Sequence, residues 1–477
     1  MHPRSAGLPS NMAAPWPGRC EFFVQKKNRF CKMVVGRGRR FCGEHGAMEE
    51  DGGRRIVCPL DPKHTVCADK LEKHLKKCNS REKSKPVYYV EDQNAGSADE
   101  DDTVEPVCLS NHSRTELMSL LDKLKTAVQG LQCDLDESVL SHSVLQEELD
   151  NPKNGDSAHK HLKQESSILG HLEALGLLGG GRCFVEFGAG RGKLSHWVHE
   201  ALKTRTNLQL LLVERSSTRF KVDGKHVDAA AQFERVQVDI QHLDLSKVPL
   251  LQQKNLPVVG VGKHVCGAAT DLALRCLLEK PGGTGPTEPA QKRLKTSDPA
   301  PDLDPSRPGP GPSCGAGPSV LGLAVALCCH HRCQWRHYVG KRWFRQRGLG
   351  PAQFMAFTRM SSWATCGTRP ANQDAPPQDP TNQNEGDGEE HEPAEETDTV
   401  KGFLSASERE HVGRLCKLLI DSGRLDYLKD KGFDGRLRRY VSADVTLENV
   451  LLTAVPSPDL SPDLSPDPSH DQSSELN

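Results

Sequence analysis

The chain has 477 residues, enough for two or three domains, but only 36% of it is hydrophobic and 5% aromatic, so a large share cannot be core. Its net charge of -2 hides a segregation: residues 16–85 carry 18 Lys or Arg against 9 Asp or Glu, whereas 91–105 and 385–398 are acidic, and a basic front end suits a phosphate backbone. No apolar signal core opens the sequence and the longest apolar run, Val320 to Cys329, is too short to span a bilayer; the 17 cysteines then read as thiols and metal ligands rather than a disulfide framework, and the expectation is a soluble, intracellular protein of nucleus or cytoplasm.

Residues 1–15, rich in Pro, Ala and Ser, are expected to be disordered. Cys20, Cys31, Cys42 and His45 follow with the spacing Cys-x10-Cys-x10-Cys-x2-His. This segment, 16–48, has too little apolar material to fold alone, and a tetrahedral zinc held by three thiolates and an imidazole would supply the missing free energy. A second set, Cys58, His64, His74 and Cys78, falls in residues 55–82. A helix over Ala68–Lys77 places His74 and Cys78 four apart on one face, from which they can close one tetrahedron with Cys58 and His64. Cys67 is a competing donor that fits the spacing less well. The Cys-His-His-Cys order resembles the CHHC zinc finger known from RNA-associated proteins of the minor spliceosome and from a tRNA methyltransferase family.

Residues 83–111 read as a polar, acidic linker. In 112–150, Leu117, Leu121, Leu124, Val128, Leu131 and Leu135 alternate steps of four and three, the spacing of a helical seam. The seam runs under three heptads and contains Gly130, so it is expected to pack on its own protein, with a coiled-coil dimer as the alternative.

A large domain is expected over 157–456, with Pro-, Gly- and Ser-rich insertions at 281–318 and 367–400 and a Ser-Pro-Asp tail at 457–477, all three expected to be disordered. A helix with Leu162, Ile168, Leu169 and Leu172 leads to the strand Phe184-Val185-Glu186-Phe187, the turn Gly188-Ala189-Gly190-Arg191-Gly192 and a helix from Lys193. Gly188 and Gly190 leave the main chain open to a ligand. A nicotinamide fingerprint would place Gly or Ala where Lys193 stands, which weakens a dehydrogenase reading. Leu210–Glu214 is a buried strand ending in a carboxylate 24 residues past Gly190, about where a doubly wound fold places the acid that accepts ribose hydroxyls. Val236–Ile240 ends next, with Asp239 placed to accept from an adenine amino group. The strand Pro257–Gly267 carries Lys263 and His264 at its carboxyl end; a helix over Ala269–Glu279 follows. The strand Val320–Leu327 ends in Cys328-Cys329-His330-His331-Arg332-Cys333. That cysteine and histidine run invites a third zinc, although adjacent ligands converge poorly on one tetrahedron. A final helix and strands, with the basic run Arg436–Tyr440, close the fold.

The acid-x-Gly-x-Gly pattern resembles the first motif of S-adenosylmethionine methyltransferases. Taken with the two zinc sets, Lys263–Leu272 and Cys328–Cys333, the chain resembles the eukaryotic tRNA 2′-O-methyltransferase family that modifies nucleotide four of the acceptor stem. The fold expected is α/β, a Rossmann-like S-adenosylmethionine methyltransferase domain preceded by two small zinc-binding modules and a helix. The resemblance implies methyl transfer from S-adenosylmethionine to a ribose 2′-hydroxyl of tRNA, with zinc as the second cofactor; the expected partner is the tRNA acceptor stem and no membrane, and protein partners are left open. The expected site has Gly188 and Gly190 shaping the cofactor pocket, Glu186 fixing the loop or meeting the methionine amine, Glu214 on ribose and Asp239 on adenine. His264 is the first choice for the catalytic base, His330 the second, and Lys263 would meet phosphate or oxyanion. Base methylation of RNA, protein methylation and a catalytically inactive RNA-binding adaptor are the alternatives.

Overall fold

The structure, a computed structural model, describes residues 17–25, 29–36, 38–42, 45, 55–78, 80–81, 85–96, 109–216, 232–279, 318–366 and 404–458. Residues 1–15, nearly all of the insertions expected at 281–318 and 367–400, and the tail beyond 458 lie outside them. Two compact units result, residues 1–86 and 87–477.

The first unit consists of two small hairpins. β1 (Phe23–Val24) pairs antiparallel with β2 (Arg29–Phe30), and β3 (Arg55–Cys58) with β4 (Asp61–Cys67). Around the first hairpin the buried apolar side chains are Cys20, Cys31 and Cys42, with Phe22, Val24, Val35 and Phe41 only partly buried against them. So little apolar area cannot hold a fold by burial alone. In the second, the helix expected over 68–77 is a single 3-10 turn, Ala68–Lys70, leading into the short helix Leu71–Leu75 that carries His74.

The second unit is built on seven strands. α1 (Arg114–Ala127) and α2 (Asp156–Ala174) come first, then β5 (Arg182–Phe187), α3 (Lys193–Leu202), β6 (Leu208–Glu214), β7 (Gln232–Gln237), β8 (Val258–Cys266), α4 (Ala268–Leu278), β9 (Val320–Cys328), α5 (Ala406–Asp430), β10 (Phe433–Arg439) and β11 (Val450–Pro456). The sheet order is β10-β11-β9-β8-β5-β6-β7. β5 to β9 run parallel, while β11 is antiparallel to both its neighbours. Strand order reverses between β5 and β8, so the crevice beyond their carboxyl ends is where such a sheet receives a ligand.

Both faces of the sheet are covered, which is why its central strands read as unbroken apolar runs. Alternation of side chains divides each strand between the two layers. Leu211 and Val213 of β6 join Val185, Phe187 and Leu327 in one core, packed by Leu272, Leu274 and Leu277 of α4 and Leu428 of α5. Leu210 and Leu212 face the other way, with Phe184, Val259 and Ala324, against Ile168, Leu169 and Leu172 of α2 and Leu194 and Val198 of α3. Burial of these side chains contributes about 1.5–3 kcal/mol each.

Two boundaries differ from expectation. Residues 87–96, within the expected linker, are strapped onto the second unit: Val90 N donates to His242 O at 2.8 Å, and Asn94 Nδ2 donates to Ile240 O and Leu243 O at 2.6 and 2.8 Å. Tyr88 and Tyr89 add apolar contact, which an acidic composition disguises. The helix expected within 112–150 is the shorter α1, opened by a Ser113–Glu116 capping box. Gly130, at φ 78°, lies just past its end. Its seam residues Leu117, Leu121 and Leu124 are buried with Leu120 against Val412, Cys416 and Leu419 of α5 and Phe354 and Phe357, so the helix packs on its own chain.

Candidate active site

A cavity of about 900 Å³ opens at the switch point, with Gly188, Gly190, Glu214, Asp239, Lys263 and His264 in its wall. These six come from four different strand ends, yet they converge because parallel strands bring their carboxyl ends to one edge. The turn after β5 is left-handed at Gly188, φ 64°, and Gly190, φ 48°. A Cβ on Gly188 would lie 3.0 Å from the His264 carbonyl oxygen, so the turn can sit this close to β8 only without a side chain. A Cβ on Gly190 would meet nothing nearer than the Gly188 carbonyl at 4.0 Å and would protrude into space a ligand can fill.

Three groups hold that turn. Glu214 Oε2 accepts from Gly190 N at 2.9 Å and its Oε1 from Ser216 N at 2.8 Å. Arg235 of β7 donates to Gly190 O at 3.0 Å, a contact not foreseen in the sequence. Glu186 is buried and accepts from both the backbone N, at 2.9 Å, and the hydroxyl of Ser195 in α3. Burial pushes its carboxyl up to about 7, against the Ser195 hydrogen bonds, which favour the charged form. Glu186 thus fastens the helix to the strand. Asp239, just past β7, caps the next turn by accepting from Gln241 N at 3.1 Å, and Arg215 approaches its other oxygen at 3.4 Å. The strap 87–96 holds the same loop through Asp92, which accepts from Gln241 Nε2 at 2.6 Å.

Lys263 and His264 are adjacent but differently used. β8 carries one extra residue relative to β9 between Gly262 and Val265, a bulge that re-aims side chains. Gly262 belongs to it: a Cβ there would lie 2.3 Å from Val265 Cγ2. His264 is exposed at the cavity, with the His161 ring 6.0 Å away. Lys263 is buried and donates to Glu165 Oε1 at 2.7 Å, with His161 Nδ1 at 3.2 Å. The expectation that Lys263 meets phosphate or oxyanion is therefore corrected: its charge is committed to a buried partner. His161 and Glu165, four apart on α2, were missed; that spacing on one helix face was the only signal, and the partner is 98 residues away.

His330 does not join the cavity wall. It is 2% exposed, and its Nε2 lies 2.9 Å from both carboxylate oxygens of Asp421. Arg424 binds Asp421 at 2.9 Å and Asp271 at 2.7 Å, and donates to Cys333 Sγ at 3.2 Å. The sequence-based choice of His330 as second catalytic base is corrected accordingly; it belongs to a buried charge network that ties α4, α5 and the turn after β9 together. Burial works to raise the Asp421 carboxyl, but His330 and Arg424 hold it below the usual carboxylate range.

In the first unit both expected donor sets are assembled, each within 4.8 Å. In the Cys20–Cys31–Cys42–His45 set, Cys31 and Cys42 sulfurs are 4.0 Å apart and His45 Nδ1 lies 3.5 and 3.2 Å from Cys20 and Cys42. In the Cys58–His64–His74–Cys78 set, the sulfurs are 3.8 Å apart and the imidazole Nε2 atoms 3.2 Å apart. A tetrahedral zinc with ordinary bond lengths requires edges of about 3.8 Å between sulfurs and about 3.3 Å between imidazole nitrogens. Both sets fit. Cys67 is in neither.

A parallel sheet with a glycine turn at its switch point, carboxylates at the next two strand ends and an antiparallel strand near one edge defines the class as a Rossmann-like methyltransferase domain, here following two zinc-finger modules. The family model described as methyltransferase TRM13 matches residues 163–455, that of the CCCH zinc finger in TRM13 protein matches 18–46, and that of the U11-48K-like CHHC zinc finger matches 55–79. The chain belongs to the TRM13 methyltransferase family. It is 50% identical to the mouse protein named tRNA:m(4)X modification enzyme TRM13 homolog, over 95% of this chain and 97% of that one, and 50% identical to the human homolog, over 95% and 98%. The Saccharomyces cerevisiae protein named tRNA:m(4)X modification enzyme TRM13 is 29% identical, over 91% and 95%. No solved structure matches the chain.

Proposed function

We propose that this chain is an S-adenosylmethionine-dependent tRNA methyltransferase that modifies a ribose 2′-hydroxyl in the acceptor stem, at nucleotide four by resemblance. The observation that carries the reading is the convergence of Gly188, Gly190, Glu214, Asp239 and His264 on one cavity. The names of the relatives support tRNA as the substrate. Bound in the cavity, the sulfonium cofactor would supply an activated methyl group for in-line displacement. Glu214 has two lone-pair directions beyond those used by Gly190 and Ser216, enough to accept ribose hydroxyls. Asp239 stands beside it for an adenine amino group. Exposed His264 is the base for the acceptor hydroxyl, and Lys263, through Glu165, fixes the bulge that presents it. A-form RNA offers its 2′-hydroxyls across a shallow groove, which suits two small basic modules that hold zinc and straddle the stem.

The test separates binding from turnover. Glu214→Gln should abolish S-adenosylmethionine binding in calorimetry. His264→Ala should bind the cofactor normally and lose turnover by about 100-fold or more. Full turnover in His264→Ala would remove the base assignment, and cofactor binding unaffected by Glu214→Gln would remove the cradle.

A further inference from the structure

Cys266 ends β8 and Cys328 ends β9, and the two are register partners in the parallel sheet. Their sulfurs are 3.2 Å apart, and Cys329 Sγ lies with them inside a 4.8 Å cluster. Adjacent residues of a strand point to opposite faces. Cys329 escapes that rule because it is left-handed, φ 51° and ψ 45°, one of only four non-glycine residues with positive φ among those described. The turn folds its thiol back beside Cys328. This is the geometric step that made three neighbouring donors hard to expect from the sequence run alone: the third ligand comes from the next strand, not from His330, His331 or Cys333. Cys333 is engaged by Arg424 and His330 by Asp421.

We propose that Cys266, Cys328 and Cys329 form a third metal site, a zinc ion held by three thiolates at the edge of the cavity. Three sulfurs and no carboxylate make a soft donor set, which selects zinc over magnesium or calcium. Glu448, which accepts from Cys329 N at 3.3 Å through Oε1 and binds Lys417 at 2.6 Å through Oε2, is not part of the donor cluster. Loading follows three thiols plus Zn²⁺ giving a zinc tris-thiolate of charge -1 and three protons released. Cys266 and Arg332 both line the cavity, which puts one cation in the same wall as the thiolates. Three protein ligands leave a tetrahedral ion one position for water. To seat the ion the Cys266–Cys328 pair opens from 3.2 Å towards the 3.8 Å sulfur separation seen in the Cys58–Cys78 set. The ion would clamp the ends of the two strands that carry His264 and Arg332, both in the cavity wall.

A cystine between Cys266 and Cys328 is the competing chemistry, and the experiment decides between them. The full chain, purified under reductant, is assayed for zinc by elemental mass spectrometry. Three equivalents are expected, one for each donor set, falling to two in Cys266→Ser. A full-length variant with Cys20, Cys31, Cys58 and Cys78 all changed to Ser should retain one equivalent. Reconstituted with cobalt, it should show a thiolate-to-cobalt charge-transfer band that disappears when Cys329→Ser is added. Zinc at two equivalents in the wild-type chain, none in the finger-deficient chain, or a reductant-reversible mass loss of two hydrogens mapping to Cys266 and Cys328 without a third metal would each overturn the site. Should Cys266→Ser fail to fold, the zinc content of the finger-deficient chain is sufficient to decide.

Discussion

The two units solve the same stability problem by opposite means. The first unit has almost no apolar interior, and its order comes from thiols and imidazoles gathered at two points. The second buries two continuous apolar layers on either side of its sheet, and there the cysteines and histidines are fitted into a structure that already stands. Donor atoms that replace a core must lie close in sequence, because nothing else brings them together. Donor atoms placed by a core can come from anywhere in the chain.

That difference predicts where each unit breaks. Cys58→Ser should unfold its module, since zinc contributes about 10–16 kcal/mol to folding in such fingers. Limited proteolysis should then cut within 55–81 while the thermal transition of the sheet unit is unmoved. A shift in that transition on loss of Cys58 would show that the units are not independent. The next largest effect is expected at Arg424, fully buried between Asp271 and Asp421. Arg424→Ala strands two carboxylates and should cost about 3–5 kcal/mol in denaturant unfolding of the sheet unit. A loss under about 1 kcal/mol would mean that the network is solvated.

A smaller effect comes from Glu186. Its folded-state carboxyl titrates at about 7, above the ordinary value of 4.5. Between those values the folded chain holds a proton that the unfolded chain has lost, so stability falls as pH rises from 4.5 to 7. At one proton and roughly 1.4 kcal/mol per unit this amounts to at most about 3 kcal/mol. Glu186→Gln removes the titration and should flatten that part of the unfolding profile. An unchanged slope would assign it to other groups.

The same contrast sets what could be read from the sequence. The eight zinc donors were legible because their spacing is local, and all eight fall where expected. Glu214 was legible because it ends an unbroken apolar strand whose carboxyl end must face the crevice. Asp239 was expected at the end of a strand over Val236–Ile240, whereas the polar strand β7 ends at Gln237 and Asp239 lies two residues beyond it, capping the next turn. Three features were not. The Lys263–Glu165 pair joins β8 to α2 across 98 residues, and no local pattern announces it. The strap at 87–96 meets partners far along the chain, among them Ile240 and His242 at separations of 146 and 150 residues from Asn94 and Asp92, and its tyrosines are masked by acidic neighbours. His330 and Cys329 exchanged their expected prominence because one left-handed residue turns the chain, sending the histidine into the core beside Asp421 and the thiol back towards β8.

The central claim is ribose methylation of tRNA through the cavity at the switch point. It is tested most directly by incubating the full chain with unmodified tRNA and methyl-labelled S-adenosylmethionine, then hydrolysing the product with alkali. The account predicts label in a single alkali-resistant dinucleotide from the acceptor stem, absent with Glu214→Gln. Label recovered in a free nucleobase or in protein would contradict it.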